Sequence, residues 1–90
     1  MKVLILNLNS EYFDDIKNGI KPLEYREIKP YWIKKLVNRH YEMVSFRKGY
    51  PKANDFEKII TVPYRGYEIK KISHKHFGNK PLDVFAIRTS

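Results

Sequence analysis

The chain has 90 residues, no cysteine and a formal net charge of +8, a length that suits one domain with a modest hydrophobic core. Without cysteine there is no disulfide framework, thiolate nucleophile or Cys-type zinc or iron–sulfur site, and the composition fits a reducing compartment. Residues 1–30 hold five Lys/Arg and five Asp/Glu, residues 31–60 seven and three, and residues 61–90 six and two, so the positive excess lies in the last two thirds.

Residues 2–8 read as a first strand that is apolar on both faces, Val3 and Ile5 against Leu4, Leu6 and Leu8, which predicts a central position. The run is too short for a signal-peptide core and Asn9-Ser10-Glu11 follows it at once. With no transmembrane span, the expectation is a soluble, cytoplasmic protein with no membrane partner. Ser10 is the predicted N-cap of a short helix. Glu11, Asp14 and Asp15 sit toward the positive end of its dipole, Phe13 and Ile16 form its apolar stripe, and Gly19 stops it. A strand follows at about 23–28. Pro30 then opens a second helix with Ile33, Leu36 and Val37 toward the core, Lys34 and Lys35 toward water and Trp32 at the margin.

Residues 41–47 alternate as a strand, Val44 and Phe46 on one side and Tyr41, Met43 and Ser45 on the other. The turn-prone stretch 52–57 leads to a strand at 58–62 that Pro63 ends or marks as an edge. Residues 64–67 make a tight connection into a strand at 68–73, and residues 82–88 form the closing strand, with Tyr41 and Tyr67 packing at the edge of the core. The expected fold is a single α+β domain over 1–90, a small mixed β-barrel of about six strands with two short helices near the N-terminus.

The segment from Gly19 to Arg26 carries the densest chemistry. On a strand starting near Leu23, the period of two sends Leu23 and Tyr25 to one face and Glu24 and Arg26 to the other, with Lys21 at the strand's mouth. Such a polar floor can grip a phosphate, a base edge or an amide; the alternative is a solvated face with a Glu24–Arg26 ion pair. In Arg47-Lys48-Gly49-Tyr50-Pro51-Lys52, Gly49 permits close backbone approach, Tyr50 offers a stacking face, and Arg47, Lys48 and Lys52 can hold phosphates. The alternative for Tyr50 is a turn packed on Pro51. Tyr64 and Arg65 form a comparable pair. His74 and His76 share one face if the backbone is extended, but a metal would need a third ligand such as Glu24 or Asp83. No metal and no cofactor is expected. Ser73 and His74 are adjacent and frame no catalytic triad.

The order of strand, short helix, Gly-x-Lys-x-x-Glu-x-Arg, basic loop and closing strand resembles an ASCH domain, the compact member of the PUA-like β-barrel group, over nearly the whole chain. Tyr25-Arg26-Glu27, Lys29-Pro30-Tyr31-Trp32, Gly49-Tyr50-Pro51-Lys52, Gly66-Tyr67 and His74-Lys75-His76-Phe77-Gly78 are similar to small bacterial and phage ASCH proteins. The resemblance implies a barrel with an RNA-binding cleft floored by the Gly-x-Lys segment, and a few members act on RNA or modified nucleosides. One hydrolytic branch uses a lysine to activate a threonine three residues on. Lys21 matches the lysine, but Glu24 stands at the threonine position and Pro22 and Leu23 bring no hydroxyl. A water-based variant would use Glu24 as general base and Lys21 or Arg26 to stabilise an oxyanion. The expected partner is single-stranded RNA or a nucleotide-like ligand, in a cleft lined by Lys21, Glu24, Arg26, Arg47, Lys48 and Tyr50, with Lys52, Tyr64 and Arg65 nearby. The alternative is a ribonuclease or nucleoside amidohydrolase with Lys21, Glu24 and Arg26 catalytic. A third reading is an adaptor whose basic face docks an acidic protein.

Overall fold

In the computed structural model, which describes residues 1–73 and 78–90, the predicted strands and helices all form, with bounds close to those expected. They are β1 (Val3–Leu8), α1 (Ser10–Lys17), β2 (Leu23–Glu27), α2 (Pro30–Leu36), β3 (Met43–Lys48), β4 (Ile59–Pro63), β5 (Tyr67–Ile72) and β6 (Leu82–Arg88), with a 3-10 turn at Phe56–Lys58. The class is α+β, but the expected barrel is not formed. The six strands divide into two three-stranded sheets, ordered β1-β3-β4 and β2-β6-β5. A barrel needs one ladder that returns to its first strand. Here one ladder ends at β1 and β4 and the other at β2 and β5. The short link 64–66 joins β4 to β5 without pairing them, because β4 pairs with β3 and β5 with β6.

The chain groups into two compact units, each assembled from separated segments: residues 1–22, 40–64 and 89–90 in the first, 23–39 and 65–88 in the second. In the first unit, β1 runs parallel to β3 with Leu4 opposite Val44 and Leu6 opposite Phe46, while β4 runs antiparallel with Ile60 opposite Phe46. A parallel pair needs a long crossover, so β1 and β3 cannot be joined by a turn. The middle strand is therefore β3, not β1 as its two apolar faces suggested. Only one face of β1 is well covered: Leu4, Leu6 and Leu8 are buried and Ile5 is exposed. Phe13 and Ile16 of α1 join Val44 and Phe46 as buried core residues, and α1 lies against β3.

The ends of α1 follow local rules. Asn9, rather than Ser10, is the N-cap, its Oδ1 accepting the Tyr12 N–H at 3.0 Å; either side chain can cap, and the backbone places Asn9 at the boundary. At the other end Gly19 has φ +73°. Its N–H donates to the Ile16 carbonyl at 3.1 Å and the Ile20 N–H to the Asp15 carbonyl at 2.8 Å. This pair of bonds is a Schellman closure, which favours glycine at the left-handed position.

In the second unit β6 is central and antiparallel to both neighbours. Val84, Phe85, Ala86 and Ile87 are all buried, as expected of a strand covered on both faces. Tyr67 meets the Phe85 ring edge-on, centroids 4.9 Å apart, a packing role that its sequence position anticipated. On α2 only Leu36 is buried, while Ile33 and Val37 are exposed, contrary to the expected three-residue stripe. For Val37 the reason is local: the helix ends at Leu36, Val37 has extended backbone (ψ 129°) and Asn38 turns left-handed at φ 58°.

Candidate functional site

The second unit contains a built charge cluster. The pleat of β2 puts Glu24 and Arg26 on one face, and Arg26 Nη2 donates to Glu24 Oε2 at 2.7 Å. Glu24 is only 5% exposed, so the pair does not lie on a solvated strand face. The Arg26 guanidinium also sits 5.0 Å from the centroid of the Trp32 ring. Trp32 in turn lies 4.8 Å from Tyr31 in a tilted pair, and Lys35 Nζ is 5.8 Å from the Tyr31 centroid. The guanidinium thus meets a carboxylate through one nitrogen and lies over an indole ring. Withdrawing Glu24 fully and Arg26 partly from water costs hydration on the order of what good pairing returns. A fold does not need such a pair for stability. What it provides is a cation of fixed direction, which loses less rotamer freedom on meeting a ligand than a solvated lysine does.

Trp32, expected only at the margin of the second helix, joins the cluster through Arg26. The signal was present in Pro30-Tyr31-Trp32, since a proline-initiated helix fixes where its first-turn side chains project.

In the first unit the Schellman closure delivers Lys21, whose Nζ lies 5.1 Å from the Tyr12 ring centroid. The Lys21 carbonyl accepts the Thr89 hydroxyl at 2.6 Å, which anchors the backbone at this point. Arg47 Nε donates to Ser45 Oγ at 3.2 Å, and the Thr61 hydroxyl reaches the same oxygen at 3.3 Å. Ser45 is buried, so Arg47 is oriented by a strand-face hydroxyl pair that the sequence did not single out. Lys48 is tied to Asp14 of α1 at 3.0 Å, near the Phe13 ring. Tyr50 follows Gly49 (φ 64°) and is 91% exposed, which leaves the alternative of packing on Pro51 without support. Lys52 is exposed. Tyr64 is half-buried and meets Tyr41 edge-on at 5.5 Å.

The expected site residues thus fall in both units: Lys21, Arg47, Lys48, Tyr50, Lys52 and Tyr64 in the first, Glu24, Arg26 and the exposed Arg65 in the second. Charge divides along the same lines. The first unit carries seven Lys/Arg against six Asp/Glu, a balance of +1, and the second eleven against four, a balance of +7. The two balances add to the +8 of the whole chain. His74 and His76 lie outside the described residues, and among those described no group of three or more His, Asp or Glu side chains is placed to hold a metal ion. No helix of the described residues is long and apolar enough to cross a membrane. Comparison with protein-family models, with curated proteins and with solved structures found no match.

Proposed function

We propose that this chain binds RNA, or a nucleotide-like anion, and that Arg26 is its principal reader. The observation that carries this is the ion pair of buried Glu24 with part-buried Arg26, whose guanidinium lies over the Trp32 ring, since a pre-aimed guanidinium fork suits a phosphate or a base edge. The balance of +7 in the same unit supports a polyanionic partner. The likeness of the Gly19 to Arg26 segment to ASCH proteins supports it too, although the closed barrel implied by that likeness is absent. Within the first unit by itself, Lys21, Arg47 and Lys52 can contact phosphates and Tyr50 offers a stacking face. The cysteine-free composition suits work in the cytoplasm.

Single-stranded RNA should bind the purified protein with a logarithmic affinity that falls linearly with the logarithm of salt, with a slope of about −0.7 per phosphate neutralised. Absence of RNA binding at low salt, together with capture of an acidic protein, would establish the adaptor reading instead.

Glu24→Gln separates binding from catalysis. The amide still accepts from Arg26 while one anion is removed from the site, so RNA affinity should stay level or rise. Mass spectrometry of RNA and modified nucleosides incubated with either protein should show ligand retained and unchanged. Multiple-turnover product from the wild type, lost in Glu24→Gln with substrate still bound, would identify Glu24 as a general base and the protein as a hydrolase.

A further inference from the structure

Two rings project from the β3–β4 connection of the first unit, and only one of them was expected. Tyr50 is 91% exposed and Phe56 79% exposed, six residues apart in sequence. A phenol can be exposed for the sake of its hydroxyl. A phenyl ring has no such reason, since it gives up the burial that ordinarily draws it inside.

The loop that carries Phe56 is internally ordered. The Gly49 N–H donates to the Leu8 carbonyl at 2.8 Å, the Asp55 N–H to the Lys52 carbonyl at 3.0 Å and the Lys58 N–H to the Asp55 carbonyl at 3.0 Å. A Lys58–Asp55 ion pair at 3.5 Å spans the 3-10 turn on which Phe56 sits. Phe56 is thus displayed by a hydrogen-bonded turn. Residues 47–58 hold four cations, Arg47, Lys48, Lys52 and Lys58, against Asp55 and Glu57.

From this arrangement we infer that Phe56 is a second base-stacking residue, so that the β3–β4 loop takes two unpaired bases of one strand on Tyr50 and Phe56. The inference rests on the RNA-binding reading and narrows it to single-stranded partners, because bases in a duplex have no free face to offer. Aromatic faces accept any base and cations close by take the phosphates between them. An apolar protein partner would not exploit the cations carried by the same segment, which favours a strand as the occupant.

The test measures binding of a labelled oligouridine, and of a duplex of equal length, to the wild type, Phe56→Ala and Phe56→Trp across a salt series. Phe56→Ala should weaken oligouridine binding roughly 5- to 150-fold, the loss of one stacked base. The salt slope should not change, because no phosphate contact is removed, and neither should the melting temperature. Phe56→Trp should match or exceed the wild type, and its added indole should be quenched by the strand. Wild-type binding to oligouridine that Phe56→Ala leaves intact would overturn the inference while sparing the RNA-binding reading. So would a duplex bound as tightly as the single strand. Absence of wild-type binding to either RNA at low salt would instead remove the reading itself.

Discussion

Arg26→Ala should lower the free energy of unfolding by about 1–3 kcal/mol, the cost of taking a charge-assisted hydrogen bond from a buried acceptor, and should abolish measurable RNA binding. Glu24 is almost fully buried and its Oε2 lies 2.7 Å from the guanidinium. Without that partner the carboxylate keeps its desolvation cost and loses a charge-assisted hydrogen bond. Trp32 also loses the cation on its face. Urea unfolding measures the first effect and fluorescence anisotropy with labelled RNA the second. Arg26→Lys should recover part of the stability and little of the binding, because a lysine restores the charge without the planar fork or the stack. A stability change under about 1 kcal/mol for Arg26→Ala would place the pair among exposed ion pairs and contradict the burial of Glu24.

The double replacement Glu24→Leu with Arg26→Met should reverse the first effect and keep the second. Exchanging a buried ion pair for apolar side chains of similar size is often neutral, or stabilising by about 1–4 kcal/mol, since neither charge then has to be stripped of water. The double variant should therefore melt at or above the wild-type temperature. Its RNA affinity should nevertheless fall to background, because the pre-aimed cation is gone. This divergence between stability and binding is what a functional charge pair produces. Continued RNA binding by the double variant would take Arg26 out of the site, and a destabilisation as large as that of Arg26→Ala would make the pair structural.

Much of the local structure was legible in the chain. The three-residue spacing of Phe13 and Ile16, the helix stop at Gly19 and the proline that opens α2 are short-range signals, and the elements form where those signals lie. The pleat likewise placed Glu24 and Arg26 together, since side-chain alternation is a property of the strand alone. Local signals of this kind were enough for the α+β class and for the order of six strands and two helices, and they pointed to the Gly19 to Arg26 segment as a candidate site.

Strand pairing emerged on folding alone, because hydrogen-bonded neighbours distant in sequence leave no local trace. The two apolar faces of β1 suggested a central strand, yet β3 took that place through a parallel crossover. Strands of the same lengths and spacings suit a barrel or two open sheets equally well, and the choice lies in long-range register. Burial was also settled there. A strand pattern cannot say whether a Glu–Arg pair faces water, and it was folding that enclosed Glu24 and brought Trp32 against Arg26. The charge, which sequence thirds distributed as 0, +4 and +4, collects almost wholly in one unit once separated segments come together. Linear order cannot reveal that concentration, because a folded surface gathers residues by proximity in space.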